Sequence, residues 1–348
     1  MPTSILDKEI HEQPEVLRRL VTEGREPVRA AAARLRQRGL HHLVIAARGS
    51  SDNAARYAQY VFGVYNGLTV ALATPSVFTR YQASPRMDGA VVAGISQSGE
   101  SPDLVAVVEA GRRQGCPTLA ITNVAGSPLT MAADETLLLQ AGREQSVAAT
   151  KTYTAQLMIL ALLSATLAGD EAREAALARI PDLVAEVLHA ARPQISAAVD
   201  MLRVANHAVV IGRGFNFATA HEVALKAKEL AYVAAEPYSS ADFQHGPIAL
   251  VDTGFAAIVL NPSGEVSDEI DDLLVEMVRR GTRPVVISDE ARSLARAAAP
   301  IELPRGVPEW LSPLVAVVPG QLLAAELSRA RGFDPDSPRG LRKVTKTT

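Results

Sequence analysis

The stretch HHLVIAARGSS (residues 41–51) places a short, continuous apolar run directly before a small polar turn. A run of this kind is typical of a strand that is buried on both faces of a parallel sheet. The residues after the turn have the spacing of a helix. We therefore predict a strand, a loop and a helix in that order, which is the repeating unit of α/β proteins.

The same layout occurs a second time, in HAVVIGRGFNF (207–217). Two further strand patterns are also paired: GAVVAGIS (89–96) with GFAAIVLN (254–261), and CPTLAITN (116–123) with TRPVVISD (282–289). The members of all three pairs are separated by 165 or 166 residues, and a constant separation indicates duplication of one unit. The sequence thus predicts two α/β domains, each a parallel sheet between two layers of helices.

Composition along the chain suggests where these domains begin and end. The linker is alanine-rich and helical in pattern, and the tail, DPDSPRGLRKVTKTT, has the proline-rich and basic composition of many disordered termini. We expect an N-terminal helical arm at 1–29, a first domain at 30–166, a helical linker at 167–195, a second domain at 196–333 and a C-terminal tail at 334–348.

Charge and cysteine content argue against several classes of protein. The net charge of −3 provides no basic field for nucleic acid or an anionic membrane. Cys116 is the single cysteine, so neither an intramolecular disulfide nor a cysteine metal cluster is expected. The first residues are too charged for a signal peptide, and LMILALLSATLAG (157–169) is too short to span a bilayer and is predicted to be a buried helix. We expect a cytoplasmic protein without a metal.

SQSGES (96–101) lies where a predicted strand meets a helix, which is the edge of an open α/β sheet where ligands bind. Ser101 suits the N-cap and Pro102 the first helical position. The hydroxyls of Ser96, Ser98 and Ser101, together with the backbone at Gly99, form a cradle suited to phosphate. The alternative is that Ser101 only caps the helix and the remaining residues only form a turn.

A second loop favours the phosphate interpretation. RGSSDNAA (48–55) ends another strand and again carries a glycine and two serines, Gly49, Ser50 and Ser51. Neither loop contains the GK[ST] of a P-loop or a G-x-G-x-x-G dinucleotide motif, so no nucleotide cofactor is indicated. A phosphate monoester fits both loops better.

The helical stretch HEVALKAKEL (221–230) places Glu222, Lys226 and Glu229 on one face. The ordinary interpretation of such a face is a solvated stripe with an ion pair. The helix nevertheless begins at the ligand edge of the second sheet. His245, in FQHGP, is a second candidate, although a single histidine is more often structural than catalytic.

Taken together, these residues resemble the tandem sugar isomerase (SIS) domains that form the isomerase half of glutamine–fructose-6-phosphate aminotransferase. The resemblance covers the chain through six ordered segments: LDKEIHEQP (6–14), RGSSDNAA (48–55), SQSGESPDL (96–104), EQSVAATKTYTAQL (144–157), ALKAKELAYVAAEPYSSADFQHGPIALVD (224–252) and DPDSPRGLRKVT (334–345). It implies two flavodoxin-like αβα domains and a homodimer, because the family's catalytic histidine comes from the neighbouring subunit.

The resemblance also implies roles for single residues. Glu229 would move a proton between C1 and C2 of a sugar, His245 would open the ring, and Lys343 would match a lysine that forms a Schiff base with the open ketose. Glu222 and Lys226 would support them, and Val147 would contact the sugar through its backbone. The 6-phosphate would be held by Ser51, Ser96, Gln97, Ser98 and Ser101, next to Gly49 and Ser50.

Two positions depart from the family pattern. Arg48 stands where a small residue is expected and would pair with phosphate or with a neighbouring acid, and Ala149 replaces a hydroxyl residue. The family's glutaminase domain has no counterpart in this sequence. We therefore expect an amino-sugar-phosphate isomerase/deaminase that converts glucosamine 6-phosphate into fructose 6-phosphate and ammonia. A related deglycase, an ammonia-dependent synthase and a non-catalytic phosphosugar sensor are the alternatives.

Overall fold

The structure, a computed structural model, describes residues 4–343. Residues 1–3 of the expected arm and 344–348 of the expected tail lie outside the described residues. The described chain divides into two compact units. The first-sheet unit contains residues 15–144, 151–179 and 342–343, and the second-sheet unit contains residues 4–14, 145–150 and 180–341.

Helices and strands alternate along the first-sheet unit. Its strands are β1 (His42–Ala46), β2 (Thr69–Leu72), β3 (Ala90–Ser96), β4 (Thr118–Thr122) and β5 (Glu135–Leu138). Its helices are α2 (Gln13–Glu23, which begins two residues before the unit), α3 (Arg25–Gln37), α4 (Ser50–Asn66), α5 (Pro75–Thr79), α6 (Pro102–Arg113), α7 (Pro128–Ala132), α8 (Lys151–Ala168) and α9 (Glu171–Leu177).

The second-sheet unit repeats this alternation. Its strands are β6 (His207–Gly212), β7 (Ala234–Ser239), β8 (Ala257–Leu260), β9 (Val285–Ser288) and β10 (Ala299–Glu302). Its α-helices are α1 (Ile5–His11), α10 (Ile180–Leu202), α11 (Asn216–Ala231), α12 (Ser240–Gln244), α13 (Ser267–Arg279), α14 (Ala291–Leu294) and α15 (Ser312–Ala330). Short 3₁₀ helices cover Pro247–Leu250 and Glu309–Leu311.

The two sheets have the same topology. The first has the strand order β2-β1-β3-β4-β5, and the second, read in the same direction, has the order β7-β6-β8-β9-β10. Every neighbouring pair in both sheets is parallel. This is the doubly wound, flavodoxin-like order, and the predicted fold class of two αβα domains is confirmed.

The six strands predicted from apolar runs are the central strands of the two sheets. The other four, β2, β5, β7 and β10, are the sheet edges, and the sequence prediction did not include them. Strands β2, β5 and β10 alternate between more and less exposed positions, β7 does so only in its first half, and β7 and β10 contain Pro237 and Pro300. Proline cannot donate to a strand ladder and is therefore confined to positions such as these.

Two long apolar helices form the cores of their units. In α8 every residue from Lys151 to Thr166 is buried, as predicted for the apolar stretch at 157–169. A second stretch, Glu309–Ala330, was not predicted, and by length and composition alone it could cross a membrane. Its apolar window is 94% buried within the protein, so it packs as a core helix.

Residues 334–341 of the C-terminal tail are attached to the second-sheet unit. The Asp336 carboxylate accepts hydrogen bonds from the backbone N–H groups of Ile5 and Leu6, at 2.8 and 2.9 Å. The Arg339 guanidinium lies over the Tyr232 ring, 4.0 Å from its centroid. The disorder suggested by the tail's composition is therefore wrong for residues 334–341, because specific polar and cation–π contacts hold this segment.

Replacement by alanine should have opposite effects on stability at two helical glycines. A Cβ at Gly111 of α6 would lie 2.6 Å from Val92 Cγ2 of β3, whereas at Gly63 of α4 the nearest atom is 3.9 Å away. We expect Gly111→Ala to destabilise the protein by about 1–3 kcal/mol through overpacking. The matched control, Gly63→Ala, should stabilise it by about 1 kcal/mol through helix propensity. Urea unfolding measures the change in the free energy of unfolding for both variants. Changes of the same sign would contradict the contact between Gly111 and Val92.

Candidate active site

The first sheet reverses its winding between β1 and β3. These strands are adjacent and parallel, with His42 opposite Ala90 and Ala46 opposite Gly94. The chain leaves β1 for β2 on one side and later returns to β3 on the other. The loops that follow β1 and β3 therefore open side by side at one sheet edge, where α/β proteins bind ligands.

The residues predicted to hold phosphate lie in these two loops and at the helix starts that follow them. Ser51 and Ser96 are 8% and 7% exposed, so both residues are buried in this region. The remaining predicted residues are more accessible: Gly49 is exposed, and Ser50, Gln97, Ser98 and Ser101 are half-buried. The topology thus brings all of these predicted phosphate residues to one edge of the first-sheet unit.

Three of the serine hydroxyls accept hydrogen bonds from the protein. Gln156 Nε2 donates to Ser51 Oγ at 2.9 Å, and the Gly99 and Glu100 N–H groups donate to Ser96 Oγ and Ser98 Oγ at 3.1 and 3.3 Å. A hydroxyl has one hydrogen to donate and two lone pairs to accept. Because each oxygen already accepts, its own hydrogen remains suited to an anionic ligand. Gln156 lies in the segment EQSVAATKTYTAQL but was not among the predicted site residues.

The start of α6 is arranged as the sequence predicted, with Ser101 at the N-cap and Pro102 at the first helical position. Among the described residues, no capping bond to the Ser101 side chain is formed, so this hydroxyl is not needed to complete the helix. Gly99 has a φ of +67°, and a Cβ there would lie 2.2 Å from Ser127 Oγ. Glycine is therefore required at this turn by both backbone conformation and space.

Two partners were predicted for Arg48, a phosphate and a neighbouring acid, and the structure shows a pair with an acid. Its guanidinium lies 2.9 Å from the Asp103 carboxylate in the first turn of α6, and this carboxylate is 1% exposed. The ion pair joins the loop after β1 to the helix after β3. The two sides of the crevice are thus tied together by charge.

Lys343, the predicted tail nucleophile, is bound to a buried carboxylate of the same unit. Its Nζ lies 2.5 Å from Glu144 Oε2, and the Glu144 side chain is completely buried. Thr152, in the first turn of α8, donates to both Glu144 oxygens, through its hydroxyl at 2.8 Å and its N–H at 3.1 Å. Glu144 therefore fixes the ammonium group in place. Sequence reasoning missed it, although it begins the quoted segment EQSVAATKTYTAQL.

Val147, predicted to contact the sugar through its backbone, lies in a segment that belongs to the second-sheet unit. The carboxylate of Glu9, in α1, accepts hydrogen bonds from the N–H groups of Gln145 and Ser146 at 2.6 and 3.0 Å. Glu9 is 3% exposed, so the bonds are shielded from water. This glutamate, which was not among the predicted site residues, fixes the backbone just before Val147.

The charged face of α11 is buried rather than solvated. Lys226 Nζ lies 3.4 Å from Glu222 Oε1 and 2.5 Å from Glu229 Oε2. The side chains of Glu222 and Lys226 are 0% and 1% exposed, whereas Glu229 is 23% exposed. The ordinary interpretation of this face as a solvated stripe is therefore wrong. One carboxylate, that of Glu229, reaches solvent from an otherwise buried charge network.

The two carboxylates keep Lys226 protonated. Burial by itself lowers the pKa of this lysine, but the charges and hydrogen bonds of Glu222 and Glu229 outweigh that effect and raise the pKa above its ordinary value. Lys226 is thus a fixed cation that orients Glu229. It is not a group that gives up its proton at neutral pH.

His245 differs from this network because it is exposed to solvent. It follows α12, which ends at Gln244, and its side chain is exposed, as are Gly246 and Leu250 nearby. Glu222, Lys226, Glu229 and His245 all belong to the second-sheet unit, whereas the phosphate loops and Lys343 belong to the first-sheet unit. Among residues 4–343, no group of three or more histidine, cysteine, aspartate or glutamate side chains is arranged to hold a metal ion.

The two matching sheets define a tandem parallel α/β protein. The chain belongs to the SIS-domain family, because the family model for the SIS domain matches residues 36–165 and 201–328. A glutamine–fructose-6-phosphate aminotransferase (isomerizing) from Thermococcus kodakarensis is 36% identical over 97% of this chain. One from Staphylococcus aureus is 34% identical over the same share. The chain spans 57% of the length of each of these relatives.

Solved structures agree with the family assignment. A protein from Silicibacter pomeroyi DSS-3 assigned to the phosphosugar isomerases has a TM-score of 0.86 and 32% identity, covering 96% of this chain and all of that one. The C-terminal domain of glucosamine-fructose-6-phosphate aminotransferase from Francisella tularensis has a TM-score of 0.85 and 28% identity, covering 96% of this chain and 98% of that one. The chain is thus homologous to phosphosugar isomerases.

Removal of the Lys226 charge should severely destabilise the protein. Lys226→Met leaves the fully buried carboxylate of Glu222 without its cation, and breaking a buried ion pair on one side costs about 3–5 kcal/mol. The matched control is Lys228→Met on the exposed side of the same helix, which should change stability by less than about 0.5 kcal/mol. Guanidinium unfolding measures both. Equal stabilities for the two variants would contradict the buried network.

Proposed function

We propose that the protein is a phosphosugar aldose–ketose isomerase/deaminase that converts glucosamine 6-phosphate into fructose 6-phosphate and ammonia. One observation carries this proposal: the partly exposed carboxylate of Glu229 is held by Lys226. The same lysine also pairs with Glu222, which is fully buried. A protein that only binds a phosphosugar does not need a carboxylate oriented in this way. A proton transfer does.

The phosphate of the substrate is proposed to bind at the edge between β1 and β3. Ser51, Ser96 and Ser98 accept hydrogen bonds from the protein and can therefore direct their own hydrogens to phosphate oxygens. Gln97 and Ser101 lie in the same loop and complete the set. Neutral donors of this kind suit a terminal phosphate monoester, and the relatives named for fructose 6-phosphate support that ligand.

The proposed chemistry begins with a ring-opened amino sugar that carries an aldehyde at C1 and an amine at C2. Glu229 removes the proton from C2, the electron pair forms a C1–C2 double bond, and the aldehyde oxygen takes a proton from water, which gives an enolamine with a hydroxyl at C1. Return of the first proton to C1 gives a protonated imine at C2, and the proton taken from water is released again when this imine is hydrolysed. Water then adds to the imine carbon and ammonia leaves, so the ketone of fructose 6-phosphate forms. The buried cation Lys226 holds Glu229 in position throughout.

His245 is proposed to open the sugar ring in a cytoplasmic homodimer, where it would act in the active site of the neighbouring subunit. Its exposed position at the end of α12 supports a role towards a second chain. Leu250, which is 62% exposed, lies on the same short segment and would be covered by such a partner.

Lys343 is proposed to act on the open-chain ketose. A primary amine that condenses with a carbonyl keeps its positive charge as a protonated imine and releases water. The buried Glu144 carboxylate, which pairs with Lys343 at 2.5 Å, would balance that charge both before and after condensation. In the deaminase direction the substrate already contains nitrogen, so Lys343 can serve by binding alone.

The function is tested by ammonia release from glucosamine 6-phosphate, with Glu229→Gln as the key variant. Glutamine keeps the shape of the side chain but cannot accept a proton, so turnover should fall by about 10²–10⁴-fold. Fructose 6-phosphate binding, measured by calorimetry, should remain within a few-fold of the wild-type value because the phosphate loops are unchanged. Glu236→Gln, which replaces an exposed carboxylate on the edge strand β7, is the matched control.

The outcomes of this assay separate the alternatives. Turnover of fructosamine 6-phosphate or another phosphorylated amine, but not of glucosamine 6-phosphate, would identify a deglycase. Synthesis only, from fructose 6-phosphate and ammonia, would identify a synthase. Binding without any turnover would identify a sensor. Full activity in Glu229→Gln would contradict the assigned base.

The phosphate loops should affect substrate affinity rather than the chemical step. In Ser98→Ala the lost hydrogen bond to a charged group is worth about 1.5–3 kcal/mol, so KM should rise roughly tenfold to a hundredfold while kcat changes little. The matched control is Ser263→Ala, the serine at the same place in the second-sheet unit, which should leave KM unchanged. A fall in kcat with KM unchanged would contradict this assignment.

A further inference from the structure

The second-sheet unit contains a copy of the phosphate loop. NPSGEV (261–266) follows SQSGES (96–101) by 165 residues and repeats its Ser-Gly-Glu core. The copy leaves β8, which pairs in parallel with β6, and it leads into α13. It therefore lies at the same topological position in the second sheet as the phosphate loop does in the first.

The backbone of the copy is already bound to carboxylates of the same unit. The Asp289 carboxylate accepts hydrogen bonds from the Ser263 N–H at 2.7 Å and from the Ser263 hydroxyl at 2.6 Å. The Glu309 carboxylate accepts one from the Glu265 N–H at 3.0 Å. In the first loop the corresponding serine, Ser98, instead accepts a bond through its Oγ. The two copies therefore direct this hydroxyl differently.

The space next to each loop glycine is filled by a different group in the two units. A Cβ at Gly264 would lie 2.3 Å from Glu309 Cδ, whereas a Cβ at Gly99 would lie 2.2 Å from Ser127 Oγ. The first loop is thus backed by a neutral hydroxyl. The second is packed directly against a carboxylate, which approaches its backbone as closely as the glycine permits.

The nearby cations are engaged elsewhere. Arg213, which stands 165 residues after Arg48, pairs with Glu269 in the first turn of α13 at 2.7 Å. Arg292 pairs with Asp268 at 2.5 Å. These arginines neutralise the acids of the helix start, so they do not offset the charges of Asp289 and Glu309. A phosphate approaching this loop would meet two carboxylates.

We propose that loop 263–265 is a second anion-binding loop whose anion position is filled by the carboxylates of Asp289 and Glu309. These residues act as specificity determinants, because they exclude phosphate from one of two duplicated loops. The class of ligand that the opened loop would accept is a small oxyanion such as inorganic phosphate. This inference does not depend on the reaction proposed above.

Removal of the two carboxylates should open the loop. In Asp289→Asn/Glu309→Ala, asparagine retains an acceptor for Ser263, and the Glu265 N–H is released for an external anion. Equilibrium dialysis with radiolabelled inorganic phosphate should show one more phosphate bound per chain than in the wild type. The thermal midpoint of the double variant should also rise more steeply with phosphate than with chloride at equal ionic strength. Glu302→Ala, a mostly exposed acid of the same unit, is the charge-matched control for the single replacement Glu309→Ala.

Two results would overturn the proposal. One is an unchanged number of bound phosphates together with a midpoint that responds to phosphate as in the wild type. The other result applies if the double variant fails to fold, in which case the single variant Glu309→Ala is tested with acetate. Acetate restores a carboxylate to the loop, so it should stabilise Glu309→Ala more than it stabilises Glu302→Ala. Equal stabilisation of the two variants would refute the inference. If the wild type binds no phosphate and the double variant binds one, the proposed phosphate loop of the first unit fails while this inference stands.

Discussion

The parallel pairing of β1 with β3, repeated by β6 with β8, is the constraint on which the rest of the molecule depends. It places strands that are separated along the chain side by side, so that their loops open at the same edge. It also reverses the winding of each sheet, which creates a crevice. The duplicated chain thus contains two equivalent crevices. They differ in which chemical group occupies the anion position: in the first, hydroxyl hydrogens are available, whereas in the second, carboxylates fill the loop.

The fold was predictable for the strands that are buried on both faces of a sheet. The central strands are continuous apolar runs, and their constant separation reveals the duplication even without secondary-structure detail. The edge strands escaped prediction because only part of each is covered by protein. Strand β10, APIE, alternates buried and exposed residues and contains Pro300, and nothing in that pattern distinguishes it from a loop. The tail was misjudged for a related reason, since composition does not reveal that Arg339 stacks on a particular ring.

Candidate site residues were predictable where local pattern carries the signal. Serine-rich loops after strands and a Glu–Lys–Glu helix face are visible in short windows of sequence. Their partners are not, because Gln156 meets Ser51 across 105 residues and Glu144 meets Lys343 across 199. Burial was also undetermined, since charges spaced by three and four residues look the same on a solvated helix as on α11. Tertiary packing decides between an ordinary ion pair and a cation that fixes a carboxylate.

The bond between Asp336 and the start of α1 has a consequence for the order of folding. The carboxylate that completes the first helix is synthesised 331 residues after Ile5. Residues 15–144 of the first-sheet unit lie within that interval, so most of this unit can close on itself while the other still lacks its last segment. Contacts of such long sequence separation form slowly. The second-sheet unit therefore cannot be completed before residues 334–341 have been synthesised, and its first helix remains incompletely capped until then.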